Sequence, residues 1–179
     1  RTYNGQPFAG TGVVGLSRLA VWLIKLGIRP ERIRLGHPEE NGRHERMHRS
    51  LKSALKHGNT FMTMEEQQQW FSDYREEFNH ERPHEALNGA TPGMLWQPSE
   101  RCWDGRVPEY DYPADARLHK VMSKGTLYMG KKGKVFLSEA LTGEYIMLEE
   151  RDDGLEAIIF NRITLAYYDR KSQSVLRID

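Results

Sequence analysis

The stretch from Gly36 to Lys52 constrains the fold most, because turn-forming residues lead directly into a pattern of helical period. Pro38 and the Asn41-Gly42 pair favour a turn. Behind them, apolar residues recur at helical spacing on one face, at Met47, Leu51, Ala54 and Leu55. We therefore predict a loop that leads into an amphipathic helix over residues 43–57.

The opposite face of this predicted helix carries one carboxylate within a row of cations. On a wheel of roughly 100° per residue, Arg49, Lys52 and Lys56 fall within about 40° of Glu45. An exposed acid among cations suits a metal ion that lies beside a phosphate backbone. Glu45 is therefore the candidate metal ligand, and the candidate phosphate contacts are Arg43, Arg46, Arg49, Lys52 and Lys56.

The same helix supports a second interpretation, because His44-Glu45-Arg46-Met47-His48 matches the H-E-x-x-H pattern of zinc peptidases. Histidines four residues apart share a helix face and can chelate zinc, with the glutamate as general base. Glu65 or Glu66 would be the third ligand. Interleaved arginines oppose a zinc dication, however, and we predict that the ring nitrogens of His44 and His48 are too far apart, or too differently placed, to share a metal.

Three motifs, in chain order, resemble segments of one known family. The second of them, Gly36–Lys52, has the form Gly-His-Pro-x-x-Asn-Gly-x-x-Glu-Arg-x-His-Arg-x-Leu-Lys. It resembles the glutamate segment of bacterial insertion-sequence transposases, whose DDE integrase core has a ribonuclease-H-like fold. The other two motifs are Thr2-Tyr3-Asn4-Gly5-Gln6-Pro7-Phe8 and Asn79-His80-Glu81-Arg82-Pro83-His84-Glu85-Ala86-Leu87, the latter followed by Thr91-Pro92.

This resemblance implies metal-dependent DNA strand transfer, that is, DNA integration, recombination and transposition. In the family two aspartates and one glutamate hold two Mg²⁺ (or Mn²⁺) ions, and the substrates are the double-stranded transposon ends and target. Glu45 matches the glutamate, whereas Tyr3 stands where the family has its second aspartate. A phenol is a poor Mg²⁺ ligand at neutral pH. We therefore expect that this chain binds the metal weakly and is inactive alone.

The resemblance leaves further expectations and alternatives. The intact protein is expected to form a homo-oligomer, and Arg82 of the Arg82-Pro83-His84 triplet is a further candidate phosphate contact. A non-catalytic DNA-binding or assembly module of a decayed element remains open beside the strand-transfer interpretation. The zinc metallopeptidase interpretation also remains open.

Other patterns predict the remaining elements of the first half. Residues 16–26 are predicted to form a helix that ends at Gly27, a favourable residue after a helix C-terminus, and its apolar stripe is Leu16, Leu19, Ala20, Leu23 and Ile24. Residues 28–35 suggest a short strand, although Pro30 weakens its start. Thr63-Met64-Glu65-Glu66 fits a capping box that opens a helix reaching about residue 79. One face of that helix is aromatic and is expected to pack in a core rather than stack on bases, through Trp70, Phe71, Tyr74 and Phe78.

The second half predicts a separate β domain. Proline, glycine and acidic residues make 98–116 a linker. After it, short segments rich in β-branched and aromatic residues alternate with turns, which is typical of a small β-barrel. The predicted strands are 117–122, 126–130, 134–138, 144–149, 155–160, 163–168 and 174–178.

Taken together, the fold class is α/β. Residues 1–97 are the C-terminal part of the integrase core, mainly helical here, and 117–179 are a barrel that the resemblance describes as SH3-like. Lys131, Lys132 and Lys134 on its hairpin are candidate contacts to DNA.

Charge and composition limit the classes of protein to which this chain can belong. Residues 1–60 hold 11 Lys and Arg against 4 Glu, although the whole chain has a net charge of only +1. A basic first third is typical of a polyanion partner or of a solvated surface. Cys102 is the only cysteine, and the apolar runs are too short to span a bilayer. We expect a cytoplasmic location and no membrane contact. Because the sequence begins at Arg1 with no initiator methionine, we also expect a fragment or a processed product.

Overall fold

The computed structural model describes residues 1–56, 60–130 and 133–178 of the 179-residue chain. The chain divides into two compact units. Unit 1 consists of Arg1–Arg43 and Arg106–Asp179, and unit 2 of His44–Gly105. None of the described helices has the length and apolarity needed to cross a membrane. The domain boundaries 1–97, 98–116 and 117–179 stay a prediction.

Unit 1 is built on an antiparallel sheet of five strands in the order β1-β4-β5-β6-β7. Two further strands, β2 and β3, form a separate antiparallel pair. The predicted strand positions are confirmed to within a few residues, because alternating apolar residues between turn-formers specify strands well. The strands are β1 (Leu118–Lys120), β2 (Thr126–Tyr128), β3 (Lys134–Phe136), β4 (Tyr145–Glu150), β5 (Leu155–Phe160), β6 (Ile163–Asp169) and β7 (Ser174–Arg177).

Strand β5 lies at the centre of the five-stranded sheet, and it is covered on both faces. Its residues from Glu156 to Phe160 are all buried, whereas β4 buries only Ile146 and Leu148 on one face. The register between β5 and β6 shifts at Ile158/Ile159, which is a β-bulge. Within the described residues the strands form these two open sheets and no closed barrel, so the predicted barrel is not confirmed.

Helix α1 (Arg18–Lys25) contributes to the same core as the sheet. Ser17 caps its N-terminus by accepting a hydrogen bond from the Ala20 N–H, and Gly27 after its end has a φ of 73°. The predicted helix and its C-terminal glycine are thereby confirmed. Its buried residues are Ala20, Val21 and Ile24, and Val21 lay outside the predicted stripe. The core cluster joins Val14, Val21 and Ile24 to side chains of the strands and of the turns between them, including Leu127, Leu137, Leu141, Ile146, Ile158, Phe160 and Tyr168.

Side-chain contacts fix α1 beside the turn that precedes β4. The Ser138 hydroxyl donates to the Leu16 carbonyl at 2.8 Å, and the Lys25 ammonium lies 2.8 Å from the Glu144 carboxylate. The N-terminal segment that carries α1 thus shares one core with the β strands, which a strict separation into sequence-ordered domains does not anticipate.

Unit 2 holds most of α2 (Gly42–Lys56) and all of α3 (Met64–Glu76), which a π-helical turn at Glu77–Glu81 extends. Both helices were predicted, and His57, the predicted end of the first, lies outside the described residues. Thr63 caps α3 by accepting from the Glu66 N–H at 3.1 Å. Aromatic rings stack in sequence from Trp70 and Tyr74 of α3 to Phe78 of the π-helical turn, with each side chain half-buried.

The predicted strand at 28–35 is wrong. The structure keeps only an isolated parallel bridge between Thr2 and Arg32. Ile33 is buried, but Ile28 and Leu35 are exposed, so the segment offers a single apolar contact rather than a strand face. Pro30 also removes a backbone donor there. Of the predicted lysine hairpin, Lys134 lies on β3, and Lys131 and Lys132 lie outside the described residues.

Candidate nucleic-acid interface

The loop before α2 is closed by an ion pair that the motif analysis did not predict. Glu40 accepts from both the backbone N–H and the Nε of Arg34, the former at 2.9 Å. These two donors hold the pKa of Glu40 below its usual range. A 3₁₀ turn at Pro38–Asn41 follows and runs straight into α2 at Gly42. Proline at the first position of this turn costs no hydrogen bond, which explains why the motif begins in this way.

Helix α2 separates an apolar face from a charged one, as predicted. Met47, Leu51, Ala54 and Leu55 are half-buried. Glu45 lies in the first turn, where the helix dipole favours a carboxylate, and its side chain is exposed. All five predicted phosphate contacts on this helix are also exposed, namely Arg43, Arg46, Arg49, Lys52 and Lys56.

The two histidines of the H-E-x-x-H pattern lie against each other, and our prediction that their nitrogens would be far apart is wrong. Their rings stack with centroids 4.3 Å apart, and the two Nε2 atoms are 2.6 Å apart. A helix places residues four apart on one face, which brings the rings together. Peptidase zinc sites use three protein ligands. The described part of the chain contains no group of three His, Cys, Asp or Glu side chains suited to a metal.

The N-terminal motif, which carries Tyr3, pairs with the segment after α1. Thr2 donates its N–H to the Glu31 carbonyl at 2.9 Å and accepts from the Ile33 N–H at 3.1 Å. The Asn4 side chain donates to the Ile33 carbonyl at 2.7 Å. Tyr3, between them, is 37% exposed. Asn4 therefore acts as a backbone clamp, and Tyr3 occupies the central position of this short pairing.

Arg82 lies in a turn that is fixed by its neighbours. Its backbone N–H closes the π-helical turn on the Glu77 carbonyl at 2.9 Å, and its exposed guanidinium lies 6.0 Å from the centre of the Phe78 ring. His84 packs edge-on against the same ring and contacts the Phe78 carbonyl through Nε2 at 3.2 Å. The Arg-Pro-His triplet thus has a structural role here, while the guanidinium of Arg82 stays accessible.

The third motif ends in α4 (Pro92–Leu95), which packs on the π-helical turn without room for a larger residue. A Cβ on Gly93 would lie 2.5 Å from His80 Nδ1 and 2.9 Å from the Asn79 carbonyl oxygen. Thr91 at the start of α4 is buried. The Thr-Pro ending and the following glycine therefore form a packed corner.

The sequence of the segment that holds α2 and this corner is similar to a known family. Residues 26–92 match the family model of the integrase core domain. This segment of the chain therefore resembles an integrase core. The match covers the second and third motifs, so the resemblance predicted from them is confirmed. Integrase cores of the DDE type generally use divalent metal ions and act on DNA, and a transposase or integrase function in DNA recombination follows for the family.

The described residues of this chain do not by themselves present a two-metal donor set. Two-metal phosphoryl transfer needs several oxygen ligands around ions roughly 3.5–4 Å apart. Glu45 is the motif carboxylate on α2, and a phenol stands at position 3. The described residues form no cluster of three metal-ligating side chains. The residues present therefore do not fit a Mg²⁺ pair, and the metal role of Glu45 stays a prediction.

Proposed function

We propose that this chain is part of an insertion-sequence transposase and that α2 is its DNA-facing helix. The observation that supports the proposal is the exposure of five cations on α2, the helix that also carries Glu45, within a segment that matches an integrase core. Lysine and arginine contacts to phosphates position a duplex without reading its sequence. Arg82, exposed on the turn after α3, adds a further phosphate contact.

In the intact protein, Glu45 would supply one of three metal-binding carboxylates for DDE strand transfer. The chain alone binds DNA without cutting it, because Tyr3 replaces one carboxylate. Without its intact protein, the chain would therefore act as the non-catalytic DNA-binding module that the sequence also allows. The proposal includes an SH3-like arrangement of β1 to β7, a homo-oligomeric intact protein and a cytoplasmic location.

The salt dependence of DNA binding tests the role of α2. If about four phosphates are neutralised, log K should fall against log salt with a slope of about −4. Fluorescence anisotropy of a labelled duplex would measure this slope. The Arg49→Ala/Lys52→Ala variant should make it shallower by about two units, because each removed contact releases roughly one counterion fewer.

A matched control removes the same charge elsewhere. Arg75 and Arg177 are exposed cations outside α2, so the Arg75→Ala/Arg177→Ala variant has the same net charge as the α2 variant. We expect its slope to equal that of the wild type. Equal slopes for all three proteins, or wild-type binding that does not change with salt, would refute a DNA contact through α2.

A further inference from the structure

His44 and His48 form a paired set of nitrogen donors that the DNA-binding proposal does not use. Both side chains are exposed, and they lie one helical turn apart on α2. Their Nε2 atoms are 2.6 Å apart, and their rings are inclined by only 23°. Two imidazole nitrogens converging at the surface are typical ligands of a borderline transition metal.

We propose that His44 and His48 bind one divalent transition-metal ion through their Nε2 atoms, with Cu²⁺ preferred. Metal–nitrogen bonds of about 2.0–2.1 Å place two nitrogens about 2.9 Å apart at a right angle, and about 3.3 Å apart at the tetrahedral angle. The observed separation is nearer the first value. Square-planar or tetragonal geometry is that of Cu²⁺ and Ni²⁺, and Cu²⁺ has the higher affinity of the two.

The protons balance without a co-reactant. In the present contact one ring donates its Nε2–H to the other, so the two neutral rings are in different tautomers. A metal needs both Nε2 lone pairs, and the donating ring therefore moves its proton to Nδ1. No proton is lost in this exchange when both rings are neutral.

The charge of α2 gives the site a distinctive salt dependence. Arg43, Arg46 and Arg49 lie in the same three turns and repel a dication. Salt screens this repulsion, since the Debye length shrinks from about 30 Å at 0.01 M to about 10 Å at 0.1 M. Cu²⁺ should therefore bind more tightly at the higher salt concentration, opposite to the trend for DNA. Mg²⁺ prefers oxygen ligands and should not compete.

Copper electron paramagnetic resonance on the full chain tests the proposal. One equivalent of Cu²⁺ should give a tetragonal spectrum with hyperfine structure from two nitrogens, unchanged by a large excess of Mg²⁺. His44→Ala and His48→Ala should each weaken binding by about tenfold or more, because the second ligand binds intramolecularly. His80→Ala, which removes an exposed histidine from the π-helical turn, should have no effect.

Circular dichroism of each variant would show that α2 is retained, so that lost binding reflects a lost ligand. Unchanged copper affinity in both α2 variants would overturn the proposal. A spectrum with a single nitrogen ligand, or loss of binding in His80→Ala, would do the same. None of these readouts depends on DNA binding, and the test separates the metal site from the proposed function.

Discussion

Arg170 and Glu156 form the most buried ion pair among the described residues, with Arg170 Nη2 2.6 Å from Glu156 Oε1. The Glu156 side chain is 2% exposed and also accepts from Arg117 Nη2 at 2.7 Å. Arg170 bridges onward to Glu150 at 2.6 Å. These carboxylates raise the pKa of the Arg170 guanidinium, which therefore stays charged. The pair links the central strand β5 to the turn after β6.

Replacing Arg170 by methionine should destabilise unit 1. A hydrogen bond to a charged group contributes about 1.5–3 kcal/mol, and a buried carboxylate that loses a partner is costly. Because Arg117 still pairs with Glu156, we expect a loss of about 1.5–3 kcal/mol in the free energy of unfolding, measured by urea titration followed by circular dichroism. Arg177→Met on β7, an exposed position, should change it by less than about 0.5 kcal/mol. Equal effects of the two substitutions would show that the buried pair contributes nothing specific.

The hydroxyl of Tyr112 connects the segment before β1 to the sheet. It donates to the Tyr145 carbonyl at 2.8 Å and accepts from the Asn161 N–H at 3.0 Å. Tyr112→Phe leaves both backbone groups without this partner, and we expect a loss of about 1–3 kcal/mol. Tyr110→Phe is the matched control in the same segment and should have a smaller effect. Equal losses for the two variants would argue against the bridging role of Tyr112.

Tyr112 also predicts how stability responds to alkali. Burial raises the pKa of its phenol above the usual value of about 10. The folded state thus holds this proton more tightly than the unfolded state. The resulting stabilisation is present in full below the unfolded pKa and is lost as the pH rises through the folded one. Stability measured from about pH 9 to 11 should fall more steeply for the wild type than for Tyr112→Phe, and parallel curves would contradict this assignment.

Gly93 predicts a packing limit in the Thr-Pro corner. A methyl group there would collide with His80 and with the Asn79 carbonyl, so Gly93→Ala should destabilise unit 2 by about 1–3 kcal/mol. Gly42→Ala is the matched control, since a Cβ at Gly42 meets nothing within 4 Å and alanine favours a helix. Hydrogen exchange of the amides of α3 and the π-helical turn would report the difference. Equal protection in both variants would mean that the corner is loosely packed.

Local sequence patterns predicted most of the helices and strands, whereas contacts between residues distant in the sequence could be identified only in the structure. The cap at Thr63, the C-terminal glycine of α1, the amphipathic helix α2 and the seven strands follow from spacing and turn chemistry in short windows. Val21 and Ile158 share one core although more than a hundred positions separate them in the sequence. The Glu156 ion pair depends on the burial of a charged side chain. Hydrophobic periodicity predicts neither relationship.

The candidate site could likewise be predicted only where its residues lie close together in the sequence. Five cations on the helix of Glu45 were predicted as phosphate contacts, and the structure places all of them on its exposed surface. The Arg34–Glu40 pair was missed, although a basic and an acidic residue flanking a Gly-His-Pro turn are a usable signal. The contact between His44 and His48 was predicted wrongly, because local charge was weighed above the geometry of the helix turn.

The most direct test of the proposed function is whether this chain can cut or join DNA. Nicking and strand transfer on family-type terminal DNA, with Mg²⁺ or Mn²⁺, should be assayed for the wild type, Glu45→Gln and Tyr3→Asp. We predict DNA binding but no cleavage for all three, because Tyr3→Asp supplies only a second carboxylate and the described residues form no three-ligand cluster. Metal-dependent cleavage by the wild type that Glu45→Gln abolishes would contradict the account and would mean that this chain assembles a complete active site.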